Sequence, residues 1–168
     1  MKKEITTNEK KSKIIYNKDG TFSRVKINKN IFSNKNESIQ KNVNKIIKKY
    51  IGEYAYIIES GQKIYFDKNL VGEYTYSNTT KNLPVSYKLA KGRAAIIFKE
   101  IINNAKGRIW EPNKKEKHKI DAYYGFYRYV TRFSFEYNGF EQIYEGTILI
   151  RNDKNGKKYL YDVLNIKK

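Results

Sequence analysis

Residues 117–137 read KHKIDAYYGFYRYVTRFSFEY and are followed directly by the pair Asn138-Gly139. Asn-Gly is the strongest short-range signal for a β-hairpin turn, and successive side chains of a strand point to opposite faces. The stretch therefore predicts a long strand with one aromatic face and one open face that carries Arg128 and Arg132. The aromatic face is expected to consist of Tyr127, Tyr129, Thr131, Phe133, Phe135 and Tyr137.

The segments on either side of this strand also have β-like patterns. Residues 140–151 and 158–166 predict two further strands of an antiparallel meander, and residues 108–112 predict a short strand before it. Asp19-Gly20 and Ser60-Gly61 are turn signals for two earlier hairpins, at residues 13–27 and 54–67. Residues 68–84 are polar and are expected to form a long loop.

Apolar residues at helical spacing predict an amphipathic helix over residues 39–51 and a second helix over residues 85–103. Early helices followed by a run of strands are typical of an α+β fold. We expect two N-terminal-half helices packed on a C-terminal antiparallel β-meander of about four strands, with a short N-terminal hairpin. Residues 1–12 are expected to be a flexible tail, and residues 13–168 a single domain.

The charge of the chain indicates a polyanionic partner. The 168 residues include 35 Lys and Arg against 17 Asp and Glu, which gives a net charge of +18. Nucleic acid is the first candidate, because each neutralised phosphate releases counterions; an anionic membrane surface and a general lysine bias in composition are the alternatives. The chain has no cysteine, no apolar run long enough to span a bilayer and no visible signal peptide, so a cytoplasmic location without a membrane partner is expected.

The region around the long strand holds the candidate catalytic residues. His118 is the only histidine of the chain, and an imidazole titrates near neutrality and can act as a general acid or base. Arg128 and Arg132 lie about 13 Å apart on an extended strand, and a guanidinium donates two parallel hydrogen bonds to a phosphate. The alternatives are an ordinary surface histidine and a solvated strand face that pairs with Glu136. The residues expected to bind nucleic acid are Lys114, Lys115, Lys117 and Arg151.

The motifs that the sequence lacks narrow the chemistry. No Asp, Glu or His cluster has metal-ligand spacing, and no phosphate-binding glycine loop or nucleophile elbow is present, so no metal and no cofactor are expected. Metal-independent cleavage of RNA remains compatible with the sequence. There the ribose 2′-hydroxyl is the nucleophile, and the protein needs to supply only a base, an acid and cations for the developing charge.

Three segments resemble a domain of phage and mobile-element proteins that is grouped with the barnase, EndoU, colicin and RelE nucleases. They begin at Ser60 (SGQKIYF), at Lys117 (KHKIDAYYGFYRYVTRF) and at Gly156 (GKKYLYDVLNIKK). The resemblance covers residues 40–168. It implies helices followed by a four-stranded antiparallel sheet and RNA cleavage without a metal. The positions that it assigns to catalysis are His118, Arg128, Arg132, Lys63 and Tyr129.

Three functions follow from these observations. The first is a small endoribonuclease, acting as a toxin or mobile-element effector, with RNA as its substrate and an acidic antitoxin or immunity protein as a natural partner. The second is a non-catalytic nucleic-acid-binding module that uses the same cationic sheet. The third is a protein inhibitor encoded by a mobile element, whose basic face binds an acidic or RNA-containing complex. The sequence leaves the oligomeric state open.

Overall fold

The computed structural model of the chain describes residues 11–28, 38–115 and 122–168. The described strands are β1 (Ser12–Tyr16), β2 (Phe22–Ile27), β3 (Tyr54–Tyr56), β4 (Lys63–Tyr65), β5 (Lys106–Glu111), β6 (Phe126–Tyr137), β7 (Phe140–Asn152) and β8 (Lys158–Lys167). The described helices are α1 (Ile39–Lys48), α2 (Asn69–Tyr76), α3 (Asn78–Lys81), α4 (Val85–Ala94) and α5 (Phe98–Asn103), with a 3₁₀ turn at Ala95–Ile97.

The strands form one eight-stranded sheet in the order β1-β2-β6-β7-β8-β4-β3, and β5 pairs with β6 along the same edge as β2. The antiparallel meander β6-β7-β8 and the α+β class are confirmed. The expected arrangement of two helices on about four strands is wrong, because both early hairpins join the meander. β2 runs parallel to β6 and β4 runs parallel to β8. A free two-stranded hairpin is marginally stable, and a sheet edge without a neighbour leaves backbone groups unpaired.

The alternation predicted for β6 is confirmed over most of its length. Tyr129, Thr131, Phe133 and Phe135 are buried on the side of the sheet that the helices cover. The turn at Asn138 and Gly139 has φ values of 53° and 82°, as an Asn-Gly hairpin requires. The opposite side carries Arg128, Val130, Arg132 and Glu136 and is called the open face below.

The main core lies between the sheet and the helices. The ring of Phe98, the first residue of α5, has its centroid 5.3 Å from Tyr50, 5.9 Å from Phe66 and 5.0 Å from Tyr74. Phe133 of β6 stacks on Tyr144 of β7 at 5.6 Å. Buried aromatic pairs of this kind add to the stabilisation that burial itself provides. The edge-to-face contact of Tyr87 of α4 with Tyr144 of β7, at 6.3 Å, joins the helices to the meander.

Two helix predictions need correction. Residues 68–84 are not a loop, because they contain α2 and α3. α2 is eight residues long, with Gly72 inside it, too short for a periodic signal. It is stabilised by packing, since Leu70 and Tyr74 are buried in the core. The helix expected over residues 85–103 is divided by the 3₁₀ turn into α4 and α5. None of the described helices has the length and apolar character needed to cross a membrane.

Candidate nucleic-acid interface

A cleft of about 810 Å³ opens on the open face, near the start of β6. Part of its lining comes from residues 73–79 and 112–115, and the sheet contributes Glu111, Phe126, Arg128, Leu149, Tyr161, Asp162 and Leu164. Phe126 and Leu149 are buried in a small apolar cluster that is separate from the main core. This second cluster holds the start of β6 in place and gives the cleft a rigid base.

Arg128 is the strand residue that enters this cleft. Its Nε donates to Oε1 of Glu111, on the neighbouring strand β5, at 2.8 Å. About a third of the Arg128 side chain is exposed. Within the described part of the chain, its terminal amino groups make no hydrogen bond. Because a guanidinium has five N–H donors, Arg128 is held in position by Glu111 and keeps donors for an anion in the cleft.

Lys114 and Lys115 are exposed and line the same cleft. They also line a neighbouring pocket of about 490 Å³, whose aromatic residues are Trp110, Tyr123 and Tyr124. These three rings are more than half exposed, at 54%, 59% and 54%. The arrangement places lysine ammonium groups between a cleft that contains an arginine and a pocket lined with exposed rings.

The backbone at Gly125 determines how this region is built. Gly125 has φ of +82°, its N–H donates to the Ala122 carbonyl at 2.9 Å, and its carbonyl accepts from the Asn152 N–H at 2.9 Å. A Cβ at this position would overlap the backbone oxygen of Glu111 and approach Nε1 of Trp110 to 3.0 Å. Only glycine combines this φ with so close an approach.

We therefore expect Gly125→Ala to lower the free energy of unfolding by about 2–4 kcal/mol, measured by urea denaturation followed by circular dichroism. Gly139→Ala is the matched control, because Gly139 has the same φ of +82° and no atom within 4 Å of the added Cβ. That substitution is expected to cost about 1 kcal/mol. Equal losses for the two variants would show that the close packing at Gly125 does not contribute.

The cleft also contains three carboxyl groups that the sequence reasoning missed: Glu73 of α2, Glu111 of β5 and Asp162 of β8. Glu73 was missed because its segment was expected to be a loop. Asp162 had a visible signal, since it is the only charged residue in the run YLYDVL at residues 159–164. Glu111 was placed on a strand, but its pairing with Arg128 depends on the register between β5 and β6.

Asp162 belongs to a buried polar network. Its Oδ1 lies 2.7 Å from Nζ of Lys91, and both side chains are only 2% exposed. Lys91 Nζ also donates to Oγ1 of Thr80 at 2.6 Å, and the hydroxyl of Tyr74 donates to the Lys91 carbonyl. Burial raises the pKa of the Asp162 carboxyl to about 6, although the Lys91 ammonium acts in the opposite direction. The nearby carboxylate of Glu73 raises this pKa further.

The other predicted site residues lie elsewhere. Arg132 shares the open face but does not line the cleft, and its Nη2 is 3.2 Å from Oε2 of Glu145. Lys63 lies on β4 and Arg151 lies on β7. Arg151 forms an ion pair with Asp67, which follows β4 in the chain.

Tyr129 is buried on the helix-covered side of the sheet. Its hydroxyl donates to Oε1 of Gln62 at 3.0 Å and lies 3.0 Å from Oγ of Ser60. Burial raises the pKa of this hydroxyl. His118 and Lys117 lie outside the described residues. Of the predicted site residues, the structure brings together Arg128, Lys114 and Lys115.

No family model matches the chain, and no curated protein or solved structure is significantly similar to it. The site must therefore be interpreted from its own chemistry. In residues 11–28, 38–115 and 122–168, no group of three or more His, Cys, Asp or Glu side chains is arranged to hold a metal ion. The described cleft contains cationic hydrogen-bond donors and carboxyl groups, and a pocket with exposed aromatic rings lies next to it.

Proposed function

We propose that the protein binds single-stranded RNA at this cleft. The observation that carries the proposal is that Arg128, Lys114 and Lys115 line one cleft, and that both lysines also line the pocket of exposed aromatic rings. Arginine and lysine bind phosphate oxygens, and aromatic rings stack on unpaired bases. The net charge of +18 supports the same partner.

The arrangement favours a single strand over a duplex. The bases of an RNA duplex are stacked on each other and face the helix interior, whereas those of a single strand are free to stack on side chains. Trp110, Tyr123 and Tyr124 offer rings at the surface, and the rings of Tyr123 and Tyr124 meet edge to face with centroids 4.9 Å apart. A strand with its bases on these rings would bring its phosphates to Lys114 and Lys115.

Replacing both cleft lysines by glutamine tests this proposal. For Lys114→Gln/Lys115→Gln we expect weaker binding of a fluorescent single-stranded RNA, and a slope of log affinity against log salt that is smaller by about 1.4, since two phosphate contacts contribute ~0.7 each. Fluorescence anisotropy at several salt concentrations measures both quantities.

Lys18→Gln/Lys48→Gln is the matched control, because it removes the same charge from exposed lysines of the β1–β2 turn and of α1. It is expected to leave the affinity nearly unchanged. Equal losses for the two double variants would mean that the net charge alone attracts RNA. Equal affinity for duplex and single strand would contradict the role of the exposed rings.

A second candidate function is metal-independent cleavage of the bound RNA. It is favoured by the presence of Glu73, Glu111 and Asp162 in the cleft that contains Arg128, because this chemistry needs a proton acceptor and a proton donor beside a cation. A base removes the proton of the 2′-hydroxyl, O2′ attacks the phosphorus, and the 5′-oxygen leaves with a proton from an acid. The products are a 2′,3′-cyclic phosphate and a 5′-hydroxyl end. His118 remains the base or acid proposed from the sequence.

Product analysis distinguishes the two functions. A nuclease of this kind cuts RNA in the presence of EDTA, leaves cyclic phosphate ends, does not cut a strand with 2′-deoxyribose at the cleavage site, and loses activity in His118→Ala. RNA that is bound but never cut would leave the binding function alone. A protein complex that survives treatment with ribonuclease would instead favour the third function, an inhibitor with a basic binding face. An acidic inhibitor protein and a cytoplasmic place of action remain part of the nuclease proposal.

A further inference from the structure

A row of side chains crosses the open face at a single register. Phe126 of β6 is opposite Arg151 of β7, and Arg151 is opposite Tyr159 of β8. Tyr159 is level with Tyr65 of β4, and Tyr65 is opposite Tyr54 of β3. We call these five residues the cross-sheet row. Since neighbouring strands lie about 4.8 Å apart, the row is about 19 Å long.

The cross-sheet row begins in the cleft and ends at an edge of the sheet. Phe126 lines the cleft, and its ring packs on Tyr161 at 5.7 Å. At the other end, Tyr54 lies on β3, the last strand in the sheet order, and is 43% exposed. The row therefore runs from the proposed RNA site to an edge of the sheet; Phe126 and Arg151 at its start are buried, and its side chains become accessible from Tyr159 onward.

Cations lie beside each tyrosine ring of the row. The ring centroids of Tyr159 and Tyr65 are 6.1 Å apart, and those of Tyr65 and Tyr54 are 5.9 Å apart. The Arg151 guanidinium lies 4.2 Å from the Tyr159 centroid, Lys157 Nζ lies 4.1 Å from that of Tyr65, and Lys63 Nζ lies 4.0 Å from that of Tyr54. Arginine or lysine above an aromatic ring combines a stacking surface with positive charge.

The charges along the row contrast with those at the other end of the open face. There the cations have glutamate partners: Arg24 with Glu141, Lys26 with Glu136 and Arg132 with Glu145. In the described part of the chain, Lys63 and Lys157 form no ion pair with a carboxylate. The far end thus has balanced charges. In the row Arg151 pairs with Asp67, but Lys157 and Lys63 keep a positive charge beside the half-buried ring of Tyr65 and the exposed ring of Tyr54.

We propose that a single-stranded RNA bound in the cleft continues along the cross-sheet row to the edge at β3. The inference rests on the proposed function and extends it, since it gives the site a direction and a length. Tyr159, Tyr65 and Tyr54 offer one ring each, enough for about three further bases. Lys157 and Lys63 lie beside the rings of Tyr65 and Tyr54, where the phosphates between these bases would pass.

The test compares two lengths of RNA. With a single-stranded RNA of about 12 nucleotides, Tyr54→Ala/Tyr65→Ala is expected to bind about tenfold or more weakly than wild type, and with about four nucleotides it is expected to bind equally well. Tyr54→Phe/Tyr65→Phe, which keeps the rings, should bind both RNAs as wild type does. Tyr16→Ala/Tyr137→Ala, which removes two exposed tyrosines outside the row, should also leave both affinities unchanged.

The outcomes separate this inference from the function on which it rests. If the longer RNA binds to wild type and to Tyr54→Ala/Tyr65→Ala with the same affinity, the proposal that RNA follows the row is overturned, and the proposed RNA site in the cleft is unaffected. If wild type binds neither RNA, both are overturned. A dimer that the same substitution dissociates in sedimentation experiments, without an effect on RNA affinity, would assign the row to self-association and also overturn the inference.

Discussion

Replacing Lys91 by methionine is expected to lower the free energy of unfolding by about 3–5 kcal/mol, because it leaves the buried carboxylate of Asp162 without its partner. Lys91 Nζ is 2.7 Å from Oδ1 of Asp162, and both side chains are 2% exposed. Methionine preserves most of the volume of the lysine stem, so the lost ion pair dominates the effect. Urea denaturation followed by circular dichroism measures it.

Two further variants complete this experiment. Lys88→Met makes the same change on the same helix at a lysine that has no ion pair in the described structure, and it is expected to change the free energy of unfolding by less than about 0.5 kcal/mol. Lys91→Met/Asp162→Leu removes both charges and should recover most of the loss, because an apolar pair can replace a buried ion pair. A double variant as unstable as Lys91→Met would contradict the account.

The cost of Lys91→Met should also depend on pH. Burial raises the pKa of Asp162 from 3.8 to about 6, and Lys91 restrains that rise. A carboxyl whose pKa is raised in the folded state binds a proton more tightly than in the unfolded chain. Stability is therefore lost as the pH rises from the unfolded pKa through the folded one. Without Lys91 the pKa of Asp162 in the folded protein rises further. The loss in free energy of unfolding caused by Lys91→Met should therefore be larger at pH 8 than at pH 5.

Under the proposed cleavage function, Arg128→Ala is expected to reduce the rate of RNA cleavage by about 100-fold or more, because one preorganised cationic donor at a reacting phosphate contributes an effect of that size. Arg128 is the only strand arginine that lines the described cleft. The free energy of unfolding should change by less than about 1 kcal/mol, since its ion pair with Glu111 is partly exposed. Initial cleavage rates in EDTA and a urea denaturation curve measure the two effects.

Arg132→Ala is the matched control for this variant. Arg132 lies on the same strand and the same face, and it also pairs with a glutamate, at 3.2 Å, but it does not line the cleft. Its substitution is expected to leave the cleavage rate within about threefold of wild type, well below the effect of a lost donor. Similar losses for the two arginine variants would show that the whole open face, rather than the cleft, contacts the RNA.

Local signals in the sequence predicted much of the fold. The pairs Asp19-Gly20, Ser60-Gly61 and Asn138-Gly139 each mark a hairpin that is present, with positive φ at the glycine. The period-two alternation of β6 correctly assigned its aromatic and open faces. These features depend on a few neighbouring residues, and a single sequence contains them.

The remaining features depend on contacts that leave no local signal. The pairing of β2 with β6 and of β4 with β8 joins segments far apart in the chain, and both pairings are parallel. The second of these places Lys63 beside β8, where it does not line the cleft. α2, which brings Glu73 to the cleft, has too few turns to show a helical period.

Photo-crosslinking of a single-stranded RNA that contains 4-thiouridine, followed by mass spectrometry of the protein peptides, tests the cleft assignment most directly. We expect crosslinks to the peptides that carry Trp110, Lys114, Lys115, Tyr123 and Tyr124, and loss of those crosslinks when unlabelled RNA competes. Crosslinks confined to the β1–β2 hairpin or to α1, with none on these peptides, would contradict it.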